Sequence, residues 1–125
     1  MKQVRGGCLC GSLRIVATGP PDRVGMCHCI ACRKHHGAVF YAAAIYPADA
    51  VEIEGAYAAF DDRCFCPRCG GSVFARSAGE VEVHLGCLDD PGLFEPEYEL
   101  WTVRREPWLP GVPGTICHLR DRETG

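Results

Sequence analysis

The sequence lacks any apolar run of eighteen residues, which excludes a helix long enough to cross a bilayer. Its opening stretch, MKQVRGGCLCG, has no apolar h-region, so no secretory signal is read there and a cytoplasmic protein is expected. Basic charge is not in excess: 13 Lys and Arg stand against 16 Asp and Glu, a formal net charge of −3. Apart from Arg33-Lys34 and Arg104-Arg105 the basic groups are scattered, a poor footing for nucleic acid. No linker and no second domain are legible in the 125 residues, so a single domain over 1–125 is expected.

What the chain has in quantity is cysteine, ten in all. In a reducing compartment that density reads as metal ligands or redox thiols rather than disulfides. Eight of the ten fall into three tight groups: Cys8/Cys10, Cys27/Cys29/Cys32 and Cys64/Cys66/Cys69. Such C-x-C and C-x-x-C spacings suit convergence on one ion, whereas loops that short resist disulfide geometry.

Between the cysteines the segments are short and mostly strand-like. Ser12 to Ala17 alternates, with Leu13, Ile15 and Ala17 on one face. Ile30 to His36 predicts one or two helical turns ended by Gly37. Ala38 to Tyr46 reads as a buried strand, and Val51–Gly55 with Tyr57–Phe60 as a hairpin. Ser72–Arg76 is a strand, and Glu80 to Gly86 alternates with Val81, Val83 and Leu85 inside and the charged residues outside. Tyr98 to Val103 is the last strand, Trp101 and Trp108 are expected in the core, and 109–125 is expected to be a loosely held tail. Many short strands with regular turn signals indicate a mainly antiparallel β domain.

Cys8-Leu9-Cys10-Gly11-Ser12-Leu13 is echoed by Cys66-Pro67-Arg68-Cys69-Gly70-Gly71-Ser72-Val73. Each is a cysteine turn, a glycine, a serine and then a strand. The echo pairs Cys8 and Cys10 with Cys66 and Cys69 as a closed, four-thiolate zinc site of structural type. The stretch CHCIACRKHHG, residues 27–37, then holds three thiols with no obvious fourth. Left open, the site would accept a water or a substrate thiolate. Cys64 would close it, as would His28, His35 or His36. Arg33 and Lys34 would draw in an anionic ligand, and His35 and His36 could shuttle protons.

The ordered set Gly7-Cys8-Leu9-Cys10-Gly11, Cys27-His28-Cys29-Ile30-Ala31-Cys32-Arg33-Lys34, Phe65-Cys66-Pro67-Arg68-Cys69-Gly70, Gly86-Cys87-Leu88-Asp89-Asp90 and Leu100-Trp101 with Trp108 resembles the glutathione-dependent formaldehyde-activating enzyme family, the GFA or CENP-V domain. The resemblance runs from about residue 5 to 108. It implies a zinc-ribbon-related antiparallel β-tent with a short helical turn after the Cys27–Cys32 cluster. It also implies two zinc ions per chain: a structural one on Cys8, Cys10, Cys66 and Cys69, and one at the active site on Cys27, Cys29 and Cys32. Cys64 is then a bystander. The implied reaction is that of a carbon–sulfur lyase, the reversible addition of glutathione to formaldehyde. Glu99 stands where family members commonly carry histidine, and Cys87 and His36 stand where serine or threonine is frequent. The partners expected are therefore a small thiol and an aldehyde, with neither nucleic acid nor membrane.

Overall fold

The computed structural model describes residues 1–122. The protein is mainly β, with one short α-helix among the described residues. Its strands are β1 (Gln3–Gly7), β2 (Arg14–Thr18), β3 (Arg23–Cys27), β4 (Tyr41–Pro47), β5 (Val51–Glu54), β6 (Ala58–Phe60), β7 (Arg63–Phe65), β8 (Ser72–Ser77), β9 (Glu80–His84), β10 (Tyr98–Leu100) and β11 (Ile116–Cys117). Helix α1 spans Ile30–His36. β1, β2 and β5 form an antiparallel sheet in that order; the other eight strands run β11-β10-β3-β4-β9-β8-β7-β6. Pairing in the larger sheet is antiparallel except at β10, which lies parallel to both β3 and β11.

A period of two explains the core. Leu13, just before β2, and Ile15 and Ala17 within it share one face and are completely buried. They meet Val24, Ala44, Tyr46, Val73, Phe74, Val81 and Val83 of the larger sheet in one cluster. Helix α1 is short because both ends are set locally. Cys29 caps its start, its Sγ accepting the Cys32 N–H at 3.3 Å. Gly37, with φ of 61°, ends it in the left-handed conformation that glycine adopts without penalty. Among the described residues no helix is long and apolar enough to cross a membrane.

Several local expectations give way to tertiary pairing. Val51–Gly55 and Tyr57–Phe60 do not form a hairpin with each other. β5 joins β2 in the small sheet, and β6 pairs with β7 across the two-residue turn Asp61-Asp62, both residues at positive φ. The last strand stops at Leu100, because Trp101 takes a left-handed φ of 56° and a 3-10 turn follows. Trp108 is 68% exposed rather than in the core. His84, expected outside with the charged residues of its strand, is buried. The tail is tied down over much of its length: β11 pairs with β10, and the His118 N–H donates to the Glu99 carbonyl at 2.8 Å. Residues 123–125 of that expected loose tail lie outside the described residues.

Candidate metal centres

The two cysteine turns of the sequence echo fold alike. The Cys8 N–H donates to Leu13 O at 2.9 Å and the Cys66 N–H to Gly71 O at 3.0 Å. The Gly11 N–H returns to Cys8 O at 3.1 Å, and the Gly70 N–H to Cys66 O at 2.8 Å. Each turn therefore presents its sulfurs inward, and the Sγ atoms of Cys8, Cys10, Cys66 and Cys69 all lie within 4.8 Å of one another. Cys10 Sγ is 3.7 Å from both Cys8 Sγ and Cys66 Sγ. A tetrahedral zinc with Zn–S bonds of about 2.3 Å sets sulfurs about 3.8 Å apart, so the spacing fits such an ion. An all-thiol set suits zinc or iron rather than a hard cation.

Donors already face these sulfurs. The Leu13 N–H lies 3.2 Å from Cys8 Sγ; the Arg68 and Cys69 N–H groups lie 3.3 and 3.5 Å from Cys66 Sγ. Ser12 Oγ is 3.1 Å from Cys10 Sγ and 3.2 Å from Cys66 Sγ. The Ser12 hydroxyl and then the backbone N–H groups push the Cys66 thiol down to about 6, toward the thiolate that a metal requires.

The second group is Cys27, Cys29 and Cys32, whose sulfurs also lie within 4.8 Å of one another. Cys27 ends β3, Cys29 caps α1 and Cys32 sits in its first turn, so a strand end and a helix start bring them together. His28, between two of the ligands, is completely buried and bonds through Nε2 to Glu99 Oε1 at 2.9 Å. Its neighbour Cys27 and then burial push Cys32 up, and burial pushes Cys29 up. Among the described residues no fourth Cys, His, Asp or Glu joins this group. Cys64 stands in neither cluster: it is buried in the core, its Sγ 3.7 Å from Asp62 O.

The triad opens on a cavity of about 330 Å³. His36, Tyr41, Glu82 and His84 line it beside the thiols, as do Arg63, Arg76 and the Asp61-Asp62 turn. The Tyr41 hydroxyl donates to the Glu82 carboxylate. The His36 ring stacks on Tyr41, centroids 4.8 Å apart, and meets His84 edge-on at 4.6 Å. Burial, with the neighbouring imidazoles, lowers His36 to about 4 and His84 to about 3, so both are neutral near pH 7. The Arg63 guanidinium pairs with Asp61 at 3.1 Å.

Arg33 and Lys34 are placed elsewhere. They line a separate groove with Ile30, Gly37 and Val39, and Arg33 pairs with the Glu106 carboxylate. His35 bonds to Ser72 Oγ at 2.8 Å, and that hydroxyl also meets His84 Nδ1 at 2.9 Å. Cys87 packs in the core, its thiol donating to Val73 O at 3.4 Å and pushed up to about 12 by burial. Sequence reading missed Tyr41, Glu82, His84, Arg63 and Arg76. What places the first and third of them is cross-strand register: Tyr41 lies opposite Cys27, and His84 opposite Ala43.

The fold and its two thiol clusters define a small, mainly β domain able to hold two metal ions through cysteine alone. Residues 3–104 match the family model described as "Glutathione-dependent formaldehyde-activating enzyme", and the chain belongs to that family. No curated protein gives a match. Among solved structures, the chain is similar to a crystal structure of a Rhodobacter sphaeroides protein, a structural-genomics target. The TM-score is 0.55 and the identity 21%, over 71% of this chain and 91% of that one, a likeness of fold.

Proposed function

We propose that this protein is a cytoplasmic, zinc-dependent carbon–sulfur lyase of the GFA type, which adds a small thiol, glutathione in the first instance, to an aldehyde such as formaldehyde. The observation that carries this reading is the triad: three converging thiols, no fourth ligand among the described residues, and a cavity beside them. Cys27, Cys29 and Cys32 would hold a zinc ion, which when bound would supply affinity for a fourth sulfur and favour its thiolate form. Cys8, Cys10, Cys66 and Cys69 would hold the second, structural zinc.

The sulfur adds to the aldehyde carbon, a C–S bond forms, and the carbonyl π pair takes up the proton that the thiol gave, leaving an S-hydroxymethyl adduct. No atom is lost, and the reverse step expels the aldehyde. The Tyr41 hydroxyl and the Glu82 carboxylate stand in the cavity where that proton travels. Neutral His36 and His84 give the same wall acceptor capacity. Arg33 and Lys34 have no part in this account, since their groove is a different one.

The test uses cobalt-substituted protein. Added glutathione is expected to alter the thiolate-to-cobalt absorption of the triad site, and exchange between formaldehyde and its glutathione adduct is expected to quicken. Both responses should vanish in Cys29→Ser. An unchanged cobalt spectrum at saturating thiol would count against the open site.

A further inference from the structure

The family match ends at residue 104, yet the chain beyond it returns to the triad. Glu99, completely buried, is the anchor. Its Oε2 accepts the Val112 N–H at 3.0 Å and the Thr115 hydroxyl at 2.9 Å. Strand β11 then runs beside β10, with Ile116 opposite Tyr98 and Cys117 opposite Glu99. Further along, the Trp101 N–H donates to Arg120 O at 3.0 Å, and the Trp101 indole N–H to Asp121 Oδ1 at 2.9 Å. This series of bonds holds the segment against the 99–102 stretch as far as Asp121.

Its end forms part of the site. Asp121 lines the triad's cavity and also an adjoining groove of about 280 Å³. Cys27, Tyr41 and Glu82 are walls of both, so the groove begins at the first thiol of the triad. Arg122 lines the groove, its guanidinium 5.7 Å from the centre of the Tyr98 ring. Gly25 makes room for that ring, for a Cβ there would come within 2.2 Å of it. The groove's other arginine, Arg23, is engaged by Glu80 through both terminal nitrogens, at 2.8 and 2.9 Å, while its buried Nε–H has no partner among the described residues. Arg122 has no carboxylate within ion-pair distance among the described residues. Among the described residues the groove therefore offers a guanidinium that meets an aromatic ring but no carboxylate, next in sequence to Asp121 and beside Cys27.

We propose that the end of the segment beyond residue 104 belongs to the substrate site, where Arg122 and Asp121 select a thiol carrying an α-amino-acid head group, its carboxylate on Arg122 and its ammonium on Asp121. This rests on the reading of the triad as a thiol site and names the residues that discriminate among thiols there. An arginine matches a carboxylate by charge and by its paired N–H geometry. An uncharged thiol engages the triad alone and gains nothing from the groove.

Calorimetric titration of the zinc-loaded, full-length protein with glutathione and with 2-mercaptoethanol tests this. Arg122→Gln is expected to weaken glutathione about tenfold, the scale of one charge-assisted contact, and to leave 2-mercaptoethanol unchanged. Arg122→Lys, which keeps the charge but not the paired N–H geometry, is expected to recover part of the loss. Equal glutathione affinity in wild type and Arg122→Gln overturns the head-group assignment and leaves the thiol site standing. Equal weakening of both thiols overturns it too, because the effect is then on the fold. If neither thiol binds the wild type, the reading of the triad itself fails.

Discussion

The two cysteine clusters differ in what surrounds the sulfurs. The Cys8/Cys10/Cys66/Cys69 group is framed by its own turns, with Cys10 at the surface: backbone N–H groups and the Ser12 hydroxyl face the thiols, and four donors suit a tetrahedron. The Cys27/Cys29/Cys32 group has three donors, and its open side meets tyrosine, histidine and charged side chains from several other parts of the chain. One cluster is finished by groups of its own turns, the other by side chains brought from a distance.

The largest expected effect breaks the first cluster. Structural zinc contributes roughly 10–16 kcal/mol in finger peptides, against a native stability of about 5–15 kcal/mol. Cys66→Ser should therefore abolish the cooperative thermal transition, while Cys29→Ser keeps it. Calorimetric melting with metal counting on both variants checks the contrast. A chelator titrated into the wild type sharpens it further: the triad's ion should leave first with the fold intact, and the second should leave with unfolding.

A smaller effect concerns the support behind the triad. Glu99 is pulled toward neutrality by burial, but hydrogen bonds from His28, Thr115, Val112 and Arg105 outweigh this and hold it at about 2, against an ordinary value of 4.5. Its stabilising contribution is present above the ordinary value and is lost as pH falls from there toward about 2. Glu99→Gln leaves His28 and Arg105 without their anion, and should cost about 3 kcal/mol near pH 7. The gap between wild type and variant should narrow below pH 4.5, as read by denaturant unfolding across that range.

Cys64→Ser should leave the metal count at two, with a loss of about 1 kcal/mol from placing a hydroxyl in the core. A fall to one ion would show that Cys64 serves the triad after all. The smallest effect is expected for Arg33→Ala: its pair with Glu106 is partly exposed, worth about 0–1 kcal/mol, and glutathione affinity should not change.

Much of the first cluster was legible because its determinants are local. Two turns with matching cysteine, glycine and serine positions fold the same way here, and the spacing of the triad is local as well. Helix α1 was legible from Ile30 to Gly37 for the same reason. The cavity was not, since Tyr41, Glu82, His84, Arg63 and Arg76 meet the thiols only through strand pairing, and register across a sheet leaves no mark on single strands. His84 was misplaced because alternation assigns the strand's polar face to solvent, whereas here that face turns to the triad. Prolines and terminal position made residues 109–122 read as loose, whereas the buried carboxylate of Glu99, on a different strand, is what binds them.

The chain separation of the ligands has a consequence for folding order. Cys27, Cys29 and Cys32 span a loop of a few residues, so a newly made chain can gather them before any sheet exists. The other site must bring the beginning of the chain to its middle, from Cys8 to Cys69, and it forms only as the small sheet docks on the large one. The triad is thus the easier of the two to gather, and the four-cysteine site records that the two sheets have come together.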